Sequence, residues 1–348
     1  MSEIALYRKY RPKKFKDVIG QEQVIGVLEA SIKNGNVSHA YLFAGSRGTG
    51  KTSVARILAD ELKVVPEDLY EIDAASNRGI DEIRALREAV HTLPFRSPYK
   101  VYIIDEAHML TKEAFNALLK TLEEPPSHVI FILATTELGK VIDTVISRCQ
   151  VFTFKKPNQQ ILKQAVARIA KEEGFTLLPA SADLIAMLAE GSFRDAEGIL
   201  QKVISSSSDK KISVEEVEMI TGAPKARLLN YIIDSIETGD IQSGLKAVRV
   251  ASEENIDMVV LLKLILERVR YILLLRFAKD MEKEIAGELT ESDFQFLKNI
   301  AQNKDSKIKS DTLSKLLTAA EQTSYATVPE LPLEMALINF SNELEAKS

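Results

Sequence analysis

Through the first 155 positions, short apolar or alternating runs are separated by longer stretches whose apolar residues recur every three or four positions. The runs "AYLFA" (40 to 44), "LYEID" (69 to 73), "KVYIID" (100 to 105), "HVIFILATT" (128 to 136) and "QVFTF" (150 to 154) read as strands. Strands that alternate with helical periods predict parallel βαβ units, and continuous β-branched and aromatic runs suit a sheet covered on both faces. The expectation is an α/β domain with a five-stranded parallel sheet over residues 1–157. After "KKPN" the pattern turns wholly helical, with one helix closing on Gly174 and a second from about Ser181 to Glu190. Gly222 and Pro224 break the periodicity in "TGAPK", which places a small helical domain at 158–222 and an all-helical domain at 223–348. "SSSSDKK" and "QNKDSKIKS" read as loops between helices, and no internal repeat stands out. The most apolar run, Met258 to Phe277, contains Lys263, Glu267, Arg268 and Arg270, so it predicts a buried helix rather than a membrane span.

With 348 residues, 45% apolar and 27% charged, the chain can bury more than one core, in keeping with three domains. A net charge of −5 gives no overall basic field, so contact with nucleic acid requires local patches. The single cysteine, Cys149, can close no internal disulfide, and the opening "MSEIALYRKYRPKKFKD" is polar and basic rather than signal-like. A cytoplasmic protein with no membrane partner is expected.

One segment carries chemistry on its face. "GSRGTGKTS" sets Gly45, Gly48, Thr49, Gly50, Lys51, Thr52 and Ser53 between a predicted strand and a predicted helix, the context of a phosphate-binding P-loop. Glycines let backbone N–H groups face phosphate, Lys51 supplies charge to the β and γ oxygens, and the Thr52 hydroxyl can ligate Mg²⁺. "VYIIDEAHML" delivers Asp105 to the C-terminal end of a strand, where open α/β sheets bind ligands, to hold Mg²⁺ directly or through water. Glu106 follows as the candidate that orients and activates the attacking water. His39, His91, His108 and His128 are too widely spaced for a local ligand pair, and one cysteine builds no structural zinc site, so no zinc is expected. The histidines are expected to be satisfied or solvent-facing.

Taken together, "LYRKYRPKKFKDVIGQ", "HAYLFAGSRGTGKTSVAR", "EIDAAS", "VYIIDEAHMLTKEAFNALLKTLEEPP", "FILATTE", "ISRCQVF" and "GSFRDA" resemble the ATPase subunits of sliding-clamp loaders in the AAA+ family. Among these they resemble the tau/gamma subunits of bacterial DNA polymerase III. The resemblance runs in order over residues 5–196 and weakens over the last 120 or so, where helical character and "LPLEMALI" carry it. It implies a RecA-like P-loop fold, a helical lid and a helical collar, with ATP and Mg²⁺ as ligands. Contacts to adenine are implied for Tyr10, Arg11, Pro12, Val18 and Ile19. Thr136 resembles the polar sensor that positions the attacking water, with Thr135 the alternative, and Arg194 resembles the lid arginine that reads the nucleotide of its own subunit. "SRC" resembles the arginine-finger motif, which implies that Arg148 acts in trans on the neighbouring subunit's γ-phosphate. No acidic residue stands within four positions of Arg148 in sequence, and its partner is expected across a subunit boundary.

Bacterial members of this family usually insert a four-cysteine zinc module after the P-loop helix, whereas here "LADELKVVPEDLYEID" runs through directly. The partners implied are other loader subunits in a hetero-oligomeric pentamer, a sliding clamp and primer-template DNA. For DNA, "SNRGIDEIRALRE" offers a helix cap at Ser76 or Asn77, with Arg78 and the N–H groups near Gly79 able to meet a phosphate. The implied function is an ATP-driven motor subunit that loads a sliding clamp during replication. Two other readings compete: a structural loader subunit of low activity, and another AAA+ DNA-remodelling motor such as a branch-migration helicase. The set Lys51, Asp105, Glu106 and Arg148 argues against the first, and the helical C-terminal third against the second.

Overall fold

In the computed structural model, residues 4–76, 79–207 and 209–345 are described. The chain divides into two compact units, one of residues 1–165 with 189–198, the other of residues 166–188 with 199–348.

The first unit is built on a parallel sheet of β1 (Ala40–Ala44), β2 (Leu69–Asp73), β3 (Lys100–Asp105), β4 (Val129–Thr135) and β5 (Gln150–Thr153), in the order β2-β3-β4-β1-β5. The three central strands are apolar without alternation and buried almost throughout, as strands covered on both faces must be. On one side Tyr41, Phe43, Ile103 and Ile132 pack with Val54 and Leu58 of the helix Lys51–Glu61. On the other, Leu42, Tyr102, Phe131 and Leu133 pack with Ile83 of the helix Ile80–Ala89 and with Phe115 and Leu118 of the helix Lys112–Glu123. Register places Ala44 opposite both Thr135 and Thr153, so the ends of β1, β4 and β5 come level.

The strand that carries the acidic pair is anchored at its start. Asp68 accepts the backbone N–H groups of Phe95, Arg96 and Ser97 at 2.6, 3.0 and 3.0 Å, which fixes the loop leading into β3. Burial alone would raise the Asp68 carboxyl, but these donors outweigh it and bring the pKa down from 3.8 to about 2. A depressed folded pKa contributes stability that is whole above the unfolded value and fades as pH falls from about 4 towards 2. Asp68→Asn is therefore expected to lower stability at pH 7 by about 1 to 2 kcal/mol in urea unfolding. The gap from the unsubstituted chain should close near pH 2.

The second unit is helical around Met258–Phe277, apolar on nearly all faces and started by Asp257, whose carboxylate accepts the N–H groups of Val259 and Val260. Leu261, Leu262, Ile265, Val269 and Ile272 sit in one core with Ile232, Ile233, Leu297, Leu316 and Leu337. The charge inside this helix is met: Arg268, 8% exposed, bonds Asp293 at 3.0 Å and the Asn230 side chain, and Asp293 also accepts the Thr290 hydroxyl at 2.9 Å. Among the described residues no helix is long and apolar enough to cross a membrane.

Expected and observed strands agree to within one residue at each end. The wholly helical reading after residue 155 needs correction, because β6 (Thr176–Leu177) and β7 (Lys211–Ile212) pair in parallel within the second unit. Two-residue strands are too short to show a period of two, so the sequence pattern carries no sign of them.

Candidate functional site

β1 ends in a loop in which Gly45 and Gly48 are required by close contacts. A Cβ at Gly45 would stand 2.6 Å from the Phe154 carbonyl oxygen, and one at Gly48 would stand 1.9 Å from Oγ of Ser192, where φ is +74°. Gly48→Ala is therefore expected to weaken nucleotide binding by about tenfold or more, from the clash and about 1 kcal/mol or more of left-handed backbone strain. Titration with a fluorescent nucleotide reads this, and adding Ser192→Gly should recover the steric part alone.

Thr49, buried, donates to the Ser46 carbonyl at 2.9 Å and holds the loop's curve. Gly50 caps the helix Lys51–Glu61, which places Lys51, Thr52 and Ser53 in its first turn, where N–H groups have no acceptor within the helix. Lys51 is buried, and its Nζ donates to the carbonyl oxygens of Gly45 and Ser46 at 2.7 and 2.9 Å. Burial pushes the Lys51 pKa down, while the Glu106 and Asp105 carboxylates pull it back up.

Two strands away, β3 ends on Asp105. Its Oδ2 accepts the Thr52 hydroxyl at 2.8 Å and its Oδ1 accepts the Glu106 N–H at 3.0 Å. Glu106 adopts a left-handed backbone, φ 49°, at the turn Ala107–Met109. A non-glycine residue held there carries strain of order 1 kcal/mol or more, which the surrounding contacts must sustain. Its Oε2 accepts the Thr136 hydroxyl at 3.2 Å. Thr135, fully buried, instead meets His108 Nδ1 at 3.1 Å, so the two adjacent threonines divide the turn between them.

Beside the P-loop lies a cavity of about 750 Å³ lined by Tyr7, Arg8, Arg11, Arg47, Arg56 and Arg194. Arg194 opens the helix Phe193–Ser206 and stacks its guanidinium 5.8 Å from the Tyr7 ring centre. Of the residues assigned to the base, Arg11 lines this cavity. Val18 packs against the core beneath the sheet, Ile19 is 37% exposed, and Tyr10 and Pro12 are partly exposed. Tyr7, Arg8, Arg47 and Arg56 were not anticipated. The one local sign was that Arg47 falls within the P-loop itself.

Arg148 departs from expectation. It has a partner in its own chain: Nη2 bonds Glu123 Oε1 at 2.7 Å, and Nη1 donates to the Thr144 carbonyl at 2.7 Å. The acid lies 25 positions upstream, at the end of the helix Lys112–Glu123, beyond the reach of a local reading. Next to it, burial pushes the Cys149 thiol up to about 12. Gly79 caps the helix Ile80–Ala89, while Asn77 and Arg78 lie outside the described residues. His128 Nε2 lies within bonding reach of the Val90 and Thr92 carbonyls, and His91 is exposed. His39 Nε2, contrary to expectation, is buried with no hydrogen-bond partner among the described residues.

A phosphate loop at the end of β1, with β4 between it and an acidic strand, defines the class as an AAA+ P-loop fold. The Thermotoga maritima RuvB Holliday junction branch migration motor shares that fold, with a TM-score of 0.52 over 65% of this chain and 79% of that one, at 24% identity. Sequence narrows the class. A family model described as DNA polymerase III, delta subunit, matches residues 20–68 and 63–158, and one described as DNA polymerase III subunits gamma and tau domain III matches residues 212–347. The chain is 41% identical over 303 residues to the DNA polymerase III subunit tau of Bacillus subtilis, covering 81% of this chain and 54% of that protein. It is 35% identical over 300 residues to the gamma/tau subunit of Mycobacterium tuberculosis H37Rv, covering 80% and 52%. The chain belongs to the gamma/tau subunit family of DNA polymerase III. It spans about half the length of the curated relatives it matches.

Proposed function

We propose that this chain is an ATP-hydrolysing motor subunit of a clamp loader, which works with non-identical subunits in a pentamer to place a sliding clamp on primer-template DNA. The observation that supports it most directly is the meeting of Lys51, Thr52, Asp105, Glu106 and Thr136 at the ends of neighbouring strands. Membership of the gamma/tau family supports the setting.

On this reading the triphosphate lies along the loop 45–52 and the first turn of the following helix, whose N–H groups and dipole favour anions. Lys51 would exchange the Gly45 and Ser46 carbonyls for the β and γ oxygens. Thr52 Oγ1 and Asp105 Oδ2, 2.8 Å apart, are two oxygen donors of the kind Mg²⁺ takes alongside water and phosphate. Held there, the ion would offset charge on the β and γ oxygens. Glu106, steadied by Thr136, would orient the attacking water and accept its proton. Arg11 and Arg194 would meet the nucleotide from the arginine-lined cavity, with Tyr10, Pro12, Val18 and Ile19 on the adenine side.

Residues 158–222 would act as the lid that carries Arg194, and residues 223–348 as the collar that joins subunits. Arg148 would leave Glu123 and reach the γ-phosphate next door. Asn77, Arg78 and Gly79 would meet DNA phosphates.

The test is the rate of ATP hydrolysis by the assembled complex, alone and with clamp and primed DNA. Stimulation that needs both is the expected result. ATP binding with little turnover under every condition would reassign the chain as a structural subunit. Stimulation by four-way junctions, but not by clamp and primed DNA, would reassign it to a branch-migration motor.

A further inference from the structure

His108 has no part in the scheme above, yet it occupies the turn directly after Glu106 and its ring is only 7% exposed. Nδ1 lies 3.1 Å from Thr135 Oγ1 and 3.6 Å from Glu106 Oε2, and Nε2 lies 3.5 Å from Glu137 Oε1. One imidazole thus stands between the end of β4 and two carboxylates.

The hydrogen bonds assign its tautomer. Thr135 Oγ1 already accepts the Glu137 N–H at 3.0 Å and still has its own proton to place, while the Glu137 carboxylate 3.5 Å from Nε2 favours a hydrogen on that nitrogen. Thr135 is fully buried, where an unspent hydroxyl is costly, and Nδ1 is the acceptor in reach. Nδ1 therefore accepts, and Nε2 carries the hydrogen and faces Glu137.

This arrangement matters for Glu106. A lone pair already engaged by Thr135 offers no N–H to the neighbouring carboxylate, so Glu106 Oε2 keeps Thr136 as its donor and its remaining capacity stays open to water. Without the imidazole, the Thr135 hydroxyl would need another acceptor, and Glu106 Oε2, 3.6 Å from the same Nδ1, is the carboxylate oxygen on that side of the ring.

We propose that His108 is a positioning residue for hydrolysis, which holds the Thr135 hydroxyl away from Glu106 and so keeps that carboxylate directed at the attacking water. The inference rests on the reading of Glu106 as the water-activating group.

The test uses the assembled complex carrying His108→Leu, His108→Asn, His108→Leu with Thr135→Val, and Glu106→Gln. Asn sets an amide oxygen where Nδ1 stands, whereas Leu fills similar space with no acceptor. His108→Leu is expected to lower kcat by about 10- to 100-fold, with ATP affinity within about twofold of the unsubstituted complex. Asn should recover to within about threefold, because it restores the bond rather than the ring. Removing the Thr135 hydroxyl in the Leu background should speed the enzyme several-fold, a rescue that simple loss of packing would not produce.

Equal damage by Leu and Asn, no damage by Leu, or a defect confined to ATP affinity would each overturn the role of His108. If Glu106→Gln abolishes hydrolysis and His108→Leu does not, the function stands and this inference alone fails. If the unsubstituted complex hydrolyses no ATP, the functional reading fails and takes the inference with it; if Glu106→Gln is as fast, the assignment of Glu106 fails and the inference with it, while the ATPase reading stands.

Discussion

In the assembled complex, Arg148→Ala is expected to cut ATP hydrolysis by about 10³-fold or more, with nucleotide affinity within about twofold. A guanidinium brought to the γ-phosphate stabilises charge that grows only in the transition state, so its loss falls on kcat rather than on binding. The pairing with Glu123 shapes this expectation. Both side chains are partly exposed, 34% and 47%, and such a pair contributes about 0 to 1 kcal/mol. Releasing Arg148 to a neighbour is thus a small obstacle beside a gain of about 4 kcal/mol or more for a 10³-fold rate effect. Glu123→Gln should accordingly raise turnover by no more than about fivefold while leaving the Arg148→Ala defect intact. An isolated subunit that hydrolyses ATP at the full rate of the complex, unaffected by Arg148→Ala, would refute the trans role.

Glu106→Gln is expected to lower single-turnover hydrolysis by about 10²- to 10⁴-fold while ATP still binds. Glutamine keeps the side chain's length and can still accept the Thr136 hydroxyl, so the pocket's shape survives. What it loses is the capacity to take a proton from water. The contrast with Lys51→Ala is informative, since removing the buried ammonium strips charge from the phosphate cradle and should weaken ATP binding itself. A Glu106→Gln complex that turns over normally would show that another group activates the water.

The sheet was legible because β1, β3 and β4 lie under helices on both faces, and burial on both sides writes itself as unbroken apolar runs. The P-loop pattern and the place of Asp105 at the end of β3 were legible because the motif has a fixed spacing and the strand before Asp105 is an unbroken apolar run. Relations that cross between elements were not. Glu123 reaches Arg148 from another helix, and Tyr7, Arg8, Arg47 and Arg56 converge from an N-terminal arm, a loop and a helix to line one cavity. His108 passed as a bystander because its spacing from other histidines says nothing about the Thr135 hydroxyl that the neighbouring strand brings to it. Convergence of that kind exists only once the sheet has set β3 beside β4.

The half-buried thiol of Cys149 has a practical consequence. Thiolate is the form that reacts with maleimides and haloacetamides, and Cys149, held at a pKa of about 12, offers almost none of it at neutral pH. The sequence carries no other cysteine, so the unsubstituted chain is expected to label slowly with such reagents. A single cysteine introduced at an exposed site could carry a fluorophore without first removing the native residue, and subunit movements during turnover could then be followed by energy transfer.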